Sequence, residues 1–149
     1  MTTSLSYELH KLTSRLDRAA DQVLQRDVGI TYARFLALFA VHNGARTQRE
    51  LAAWLGVTEP SVSRMAGVLS ADGLLDVSAA AGGGNRRSLH LTPEGAALVR
   101  RSSRALEGRF VRLVEASGVP FAEYHAHTVA LIRQLESEGI GAPVGEAEA

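Results

Sequence analysis

The apolar side chains fall into blocks with two different periods. Over residues 5–26, Leu5, Leu9, Leu12, Leu16, Ala19 or Ala20, Val23 and Leu24 recur at three- and four-residue steps with charges between them. That spacing predicts an amphipathic helix stopped by Gly29. A second helix, about 32–43, opens after Thr31 and stops at Asn43-Gly44. Phe35, Leu36, Leu38, Phe39 and Val41 make it apolar around most of its circumference, as a central core helix would be. A third begins at Thr47, where Thr47 and Glu50 have capping-box spacing. Leu51, Ala52 and Leu55 form its inner face, and Gly56-Val57 breaks it. Thr58 caps a fourth helix, about 59–72, with Pro60 in the first turn, where proline is tolerated. Val62, Met65, Ala66 and Leu69 are spaced to face the core, and Gly73 stands where a helix C′ glycine belongs.

After Gly73 the period shortens to two. Leu74–Ser78 and Ser88–Thr92 read as strands, and the small-residue stretch Ala79–Gly84 between them reads as the tip of a hairpin. Thr92-Pro93 is a cap followed by a first-turn proline. It opens a helix to about Ala116, with Ala97, Leu98, Leu106, Phe110, Leu113 and Val114 as candidate buried positions. Ser117–Pro120 interrupts, and a last helix, about 121–138, carries Phe121, Tyr124, Thr128, Leu131, Ile132 and Leu135. From Gly139 the tail is small and acidic. The fold class is mainly α with a small β-hairpin wing.

Length and composition narrow the function. A chain of 149 residues supports one compact core. No apolar run approaches the roughly 18 residues of a membrane span, and Glu8 and Asp17 interrupt the N-terminus where a signal peptide would be apolar. The chain has no cysteine, which excludes a disulfide framework, a zinc–thiolate site and a cysteine redox switch. Net charge is zero but unevenly placed. Residues 1–112 hold 15 of the 16 Lys+Arg and 10 of the 16 Asp+Glu, so the positive balance lies in the first three-quarters. A DNA-binding surface needs local positive potential, not a basic whole chain.

The order helix, tight glycine turn, helix, hairpin is that of a winged helix-turn-helix. Its second helix can lie in a DNA major groove, about 12 Å wide. Thr58, Ser61, Ser63 and Arg64 supply the short hydroxyls and the long cation that phosphates and base edges require. Asn85, Arg86 and Arg87 lie beside the hairpin tip, where arginine can enter a minor groove. Arg100, Arg101, Arg104, Arg109 and Arg112 form a basic stripe, which reads first as a solvated face or a subunit contact. His125 and His127 point apart on a helix, and His10, His42 and His90 have no ligand-spaced partner, so no metal site is expected. Gly82-Gly83-Gly84 lacks the lysine and following helix of a phosphate loop. Trp54 reads as a packing residue. No nucleophile elbow, metal-ligand cluster or spaced carboxylate pair marks an enzyme.

From Thr31 to Gly95 the chain resembles the multiple-antibiotic-resistance regulator (MarR) family. The matching stretches are ITYARFLALFAV, TQRELAAWLGVTEPSVSRMAGVLSADGLL and NRRSLHLTPEG. The resemblance implies a homodimer of winged helix-turn-helix units, with 1–30 and 94–138 as dimerisation helices, 31–93 as the DNA-binding region and 139–149 as a flexible acidic tail. It implies a cytoplasmic regulator that binds double-stranded DNA at a near-palindromic site, without a cofactor, a metal or a membrane. It also implies release by a small, often aromatic, effector, with Tyr7, His10, Phe35, Phe39 and His42 on elements that line the family's pocket. This chain departs from the pattern in two places. Asn85 replaces the aspartate that usually braces the wing, and Asp76-Val77 follows Gly-Leu-Leu where a basic residue is usual. The first removes the carboxylate–arginine pair that braces the wing and the second takes a positive charge from the DNA face, which keeps a second reading open: a winged-helix dimer acting through protein–protein contacts.

Overall fold

The computed structural model describes residues 4–79 and 87–139. Four helices, α1 (Leu5–Asp27), α2 (Tyr32–His42), α3 (Gln48–Leu55) and α4 (Glu59–Ala71), precede strands β1 (Leu75–Ala79) and β2 (Arg87–Leu91). Helices α5 (Pro93–Ser117) and α6 (Phe121–Ser137) follow. Threonine starts four of the helices. The hydroxyls of Thr31, Thr47, Thr58 and Thr92 accept from the backbone N–H three residues on, satisfying donors that the helix itself cannot. Glu50 returns the bond to the Thr47 N–H, completing the capping box. Helix α2 has a further clamp from outside, because Asp21 of α1 accepts from the Tyr32 N–H at 2.9 Å. A carboxylate at a helix N-terminus is favoured by the exposed amide dipoles.

Gly56 adopts φ 65°, a left-handed conformation that lets the chain turn from the end of α3 to the start of α4 across three residues. In the hairpin, Leu75 faces Leu91 and Val77 faces Leu89 on the inner side, while Asp76 faces His90 and Ser78 faces Ser88 on the outer side. The far edge of β2 is covered by the α2–α3 connection. The Leu89 N–H donates to the Arg46 carbonyl at 2.8 Å, and Thr47 bridges to Ser88. The wing is therefore tied to the helix-turn-helix on both sides.

The core lies beneath these elements. Leu24, Leu38, Leu51, Leu69, Leu75 and Leu89 are fully buried, one each from α1, α2, α3, α4, β1 and β2. Helix α5 joins at its start, where Gly95 rests against the backbone of Leu74 so closely that a Cβ would lie 2.0 Å from the Leu74 carbonyl oxygen. Thr92 seals the same junction, donating its N–H to Leu74 O at 3.2 Å and its hydroxyl to Gly73 O at 2.6 Å.

Several sequence expectations need correction. The strands are displaced by one residue. Leu74 gives its N–H to Leu69 O as α4 closes, and Thr92 is committed to capping, so pairing runs from Leu75 to Leu91. Trp54 is not packed but 54% exposed, because the inner face of α3 is filled by Leu51 and Ala52. On α1 only Leu24 is buried, and Leu5, Leu9 and Leu12 are exposed. On α5, Leu98 and Val114 are buried as expected, but Leu113 is exposed. Helix α6 buries none of its residues, leaving Leu131, Ile132 and Leu135 in the open. These stripes are amphipathic, yet nothing within one chain covers them.

Candidate nucleic-acid interface

The site begins with the way α4 is held. Its inner residues Val62, Ala66 and Leu69 are buried, and Arg34 of α2 pairs with Asp72 at its C-terminal end at 3.5 Å. The opposite face and the N-terminal turn are open. There Thr58 donates to Ser61 Oγ at 3.0 Å, and Arg64 Nη2 donates to the same oxygen at 3.4 Å. One hydroxyl–hydroxyl–guanidinium row thus runs along α4 at three-residue steps. Ser63 is exposed beside it. All four α4 residues singled out in the sequence are therefore on one accessible end of one helix.

The wing supplies the other half. Arg87 is exposed at the start of β2, opposite Ala79. Asn85 and Arg86 lie outside the described residues. On the outer face of the hairpin, Ser88 Oγ and His90 Nε2 are 2.7 Å apart, with exposed Asp76 across from His90. Arg46, near the wing, is not available to a partner in the same way. Its guanidinium donates to the Val41 and Ala45 carbonyls at 2.6 and 3.2 Å and braces the α2–α3 turn.

One residue on this face escaped the sequence reading. Gly67 is exposed in the middle of α4, and a Cβ there would meet nothing within 4 Å. Glycine inside a helix costs about 1 kcal/mol relative to alanine, and no contact inside the chain requires it. The available signal was a mid-helix glycine one turn from Ser63 and Arg64.

The five residues expected to line an effector pocket do not form one cluster. Phe35 and Phe39 meet at 5.5 Å between ring centroids, with Phe35 in the core. Tyr7, His10 and His42 are exposed on α1 and at the end of α2. A groove of about 360 Å³ lies instead between α1 and α5, with the Tyr32 ring beside it, and none of the five lines it. Burial pushes the Tyr32 phenol above its ordinary value, and the charge of Asp17 pushes it the same way. Below the groove, Asp27 accepts from Arg26 at 2.7 Å and from Arg109 at 2.9 Å, so α1 is clasped to α5. The hydrogen bond from Arg26 is the main cause that holds the Asp27 carboxyl below the usual range. Among the described residues no group of three or more histidines and carboxylates could hold a metal ion, and no helix is long and apolar enough to cross a membrane.

A glycine-turned helix pair, a hairpin tied to it on both sides and an exposed polar end on the second helix define a winged helix-turn-helix protein. Residues 28–87 match the model of the MarR family. Over these residues the winged helix of this chain is similar to that of the MarR family.

The solved structures agree over more of the chain. Wild-type MarR of E. coli in its apo form is 21% identical, with a TM-score of 0.74 over 91% of this chain and 99% of that one. MepR, described as a transcription regulator of the Staphylococcus aureus multidrug efflux pump MepA, is 25% identical, with a TM-score of 0.64 over 91% and 98%. The M. tuberculosis transcriptional regulator MosR, solved in complex with DNA, is 24% identical, with a TM-score of 0.67 over 91% and 98%. No curated protein matches the chain. The family is one of transcription regulators and not of enzymes.

Proposed function

We propose that this chain is a sequence-specific transcription regulator, a repressor that binds a near-palindromic operator as a homodimer in the cytoplasm and is released by a small-molecule effector. The observation that carries the reading is the Thr58–Ser61–Arg64 row at the open N-terminal end of α4, with Arg87 exposed on the wing. Hydroxyls and helix N-terminal amides suit phosphate oxygens, and arginine suits a guanine edge. Asn85 and Arg86 belong to the same proposed contact set through their place in the wing sequence. MosR bound to DNA supports the reading by analogy.

The homodimer accounts for the uncovered apolar stripes. Leu5, Leu9 and Leu12 on α1 and Leu131, Ile132 and Leu135 on α6 are each at least 40% exposed. A single chain gains nothing from such stripes, whereas a second copy buries them at about 25 cal/mol per Å². Residues 1–30 and 94–138 are then the dimerising parts and 31–93 the DNA-binding part. An effector acts by favouring dimers whose two α4 helices no longer match grooves about 34 Å apart.

A second reading, a winged-helix dimer that works through protein contacts, is favoured by exposed Trp54 on α3 and by the acidic Asp76 on the wing. Titration of the purified protein against DNA flanking its own gene, at two salt concentrations with non-specific competitor, separates the two. Salt-sensitive binding that survives competitor supports the regulator. A confirmed dimer without specific binding at that DNA or in a random-sequence selection overturns it.

A further inference from the structure

The outer face of the wing carries a side chain whose charge follows pH. His90 is exposed on β2, three residues along the strand from Arg87. Its Nε2 lies 2.7 Å from Ser88 Oγ, the ring's one hydrogen-bond partner among the described residues. That contact leans the imidazole along the strand toward the Arg87 end. Asp76 stands directly across from it on β1. Helices α2, α3 and α5 pack against β2 from the inner side, where Leu89 is buried. They bring Arg34, which is paired with Asp72, Arg49 and Glu50 at the start of α3, and Glu94 in the first turn of α5. At the edge of β2, Arg46 and Glu50 are already committed, the guanidinium to the Val41 and Ala45 carbonyls and the carboxylate to the Arg46 and Thr47 amides. Asp76 is thus the charge that shares the outer face of the sheet with His90.

We infer that His90 is a further phosphate-attracting residue of the wing and makes its hold on DNA depend on pH. The inference rests on the DNA-binding reading proposed above. Imidazole changes its charge between pH 5 and 8. With the ring neutral, the charged side chains of the two strands are Arg87 and Asp76, which cancel. With the ring protonated, the strands of each wing carry a net positive charge. Three residues of strand separate the imidazole from Arg87 by about 10 Å, and the Debye length at 0.1 M salt is also about 10 Å. Both cations therefore act on the same stretch of phosphates. The protonated ring donates from both nitrogens, so Nε2–H holds Ser88 Oγ while Nδ1–H is left for a phosphate oxygen. DNA binding then favours the protonated ring. Affinity is highest while the imidazole is charged and falls as pH rises through its titration. Asp76 lowers the positive potential of the wing at either pH.

The test titrates the full chain into a labelled random-sequence duplex, because attraction to phosphates needs no particular bases. Fluorescence anisotropy follows binding at about pH 6 and about pH 8, on either side of an ordinary imidazole, across a salt series. The wild type should bind at least about fivefold tighter at the lower pH, with a salt slope steeper by up to about 2 for the two wings of a dimer. His90→Gln should lose that gain. His90→Arg, charged at both pH values, should bind at the higher pH as tightly as the wild type does at the lower. Asp76→Asn should bind tighter at both and keep the pH dependence. The other histidines are common to all four proteins, so the difference between them belongs to the wing. Both altered residues are exposed, and circular dichroism checks the fold of each variant. Wild-type binding that ignores pH, a His90→Gln protein that keeps the whole dependence, a His90→Arg protein that gains nothing at the higher pH, or no binding to the duplex at all each overturn the inference. DNA flanking the gene is titrated in parallel with non-specific competitor. His90-dependent binding to the random duplex without specific binding refutes the regulator and leaves the inference standing. Specific binding without the pH dependence does the reverse.

Discussion

Replacing Gly95 by alanine adds one methyl group at the most crowded junction in the chain. The new Cβ would lie 2.0 Å from Leu74 O and 3.0 Å from Leu74 C. Close carbon–oxygen contacts between backbone groups stop at about 3.3 Å, so the first turn of α5 must retreat from the start of β1 by more than about 1 Å. The obstacle is backbone on both sides, and neither side can swing away as a surface side chain would. Overpacking of this kind costs about 1–3 kcal/mol. The retreat also stretches the bonds from Thr92 to Leu74 O and Gly73 O, worth about 1 kcal/mol each. Against this, alanine gains up to about 1 kcal/mol in helix propensity. The balance is a loss of about 2–4 kcal/mol. Urea unfolding followed by circular dichroism at one fixed protein concentration measures it, since a dimer's stability depends on concentration. The midpoint should fall with the slope unchanged. A Gly95→Ala protein as stable as the wild type would refute the reasoning, because the junction would then be loose enough to absorb a methyl group.

Ser102 sits in the core of α5 with a fully buried hydroxyl that has no hydrogen-bond partner. Ser102→Ala should leave stability unchanged or raise it by roughly 1 kcal/mol in the same assay, as removing an unsatisfied polar group does. Leu131→Glu combined with Leu135→Glu places charge on the open stripe of α6 and should turn the proposed dimer into a monomer by sedimentation, while helix content is retained. Gly67→Ala should raise stability by up to about 1 kcal/mol and yet weaken DNA binding, because the absent side chain leaves room on the face of α4 that approaches the groove. Stronger binding by that variant would remove Gly67 from the interface.

What could be read from the sequence follows from how local each feature is. The four threonine caps, the Thr47–Glu50 box and the Gly56 turn depend on neighbours within a few residues, and each stands where the sequence places it. So do the Thr58, Ser61, Ser63 and Arg64 positions on the open end of α4. Of the LTPEG stretch, the Thr92-Pro93 cap was legible and the rest was not. Only the fold shows that its threonine seals β1 and that its glycine makes room for Leu74. Long-range features were not legible. The covering of β2 by Arg46 and Thr47, the clamp of Asp21 on α2 and the Asp27–Arg109 clasp join residues that no periodicity relates. Periodicity also marks a face as apolar without saying what covers it. For that reason the exposure of the α1 and α6 stripes on the single chain could not be read from their spacing. The groove was missed for a related reason, since its walls meet only when α1 and α5 are set side by side.

The proposed contact between α4 and the bases is tested most directly with a panel of operator variants, one base pair changed at a time, titrated with wild type and with Arg64→Ala at a single salt concentration. The expected result is that the wild type loses about 1–3 kcal/mol at each specified base pair, and that Arg64→Ala erases the loss at one position in each half-site while keeping the others. Identical profiles for the two proteins would contradict it, and would mean that the arginine on the open face of α4 reads no base.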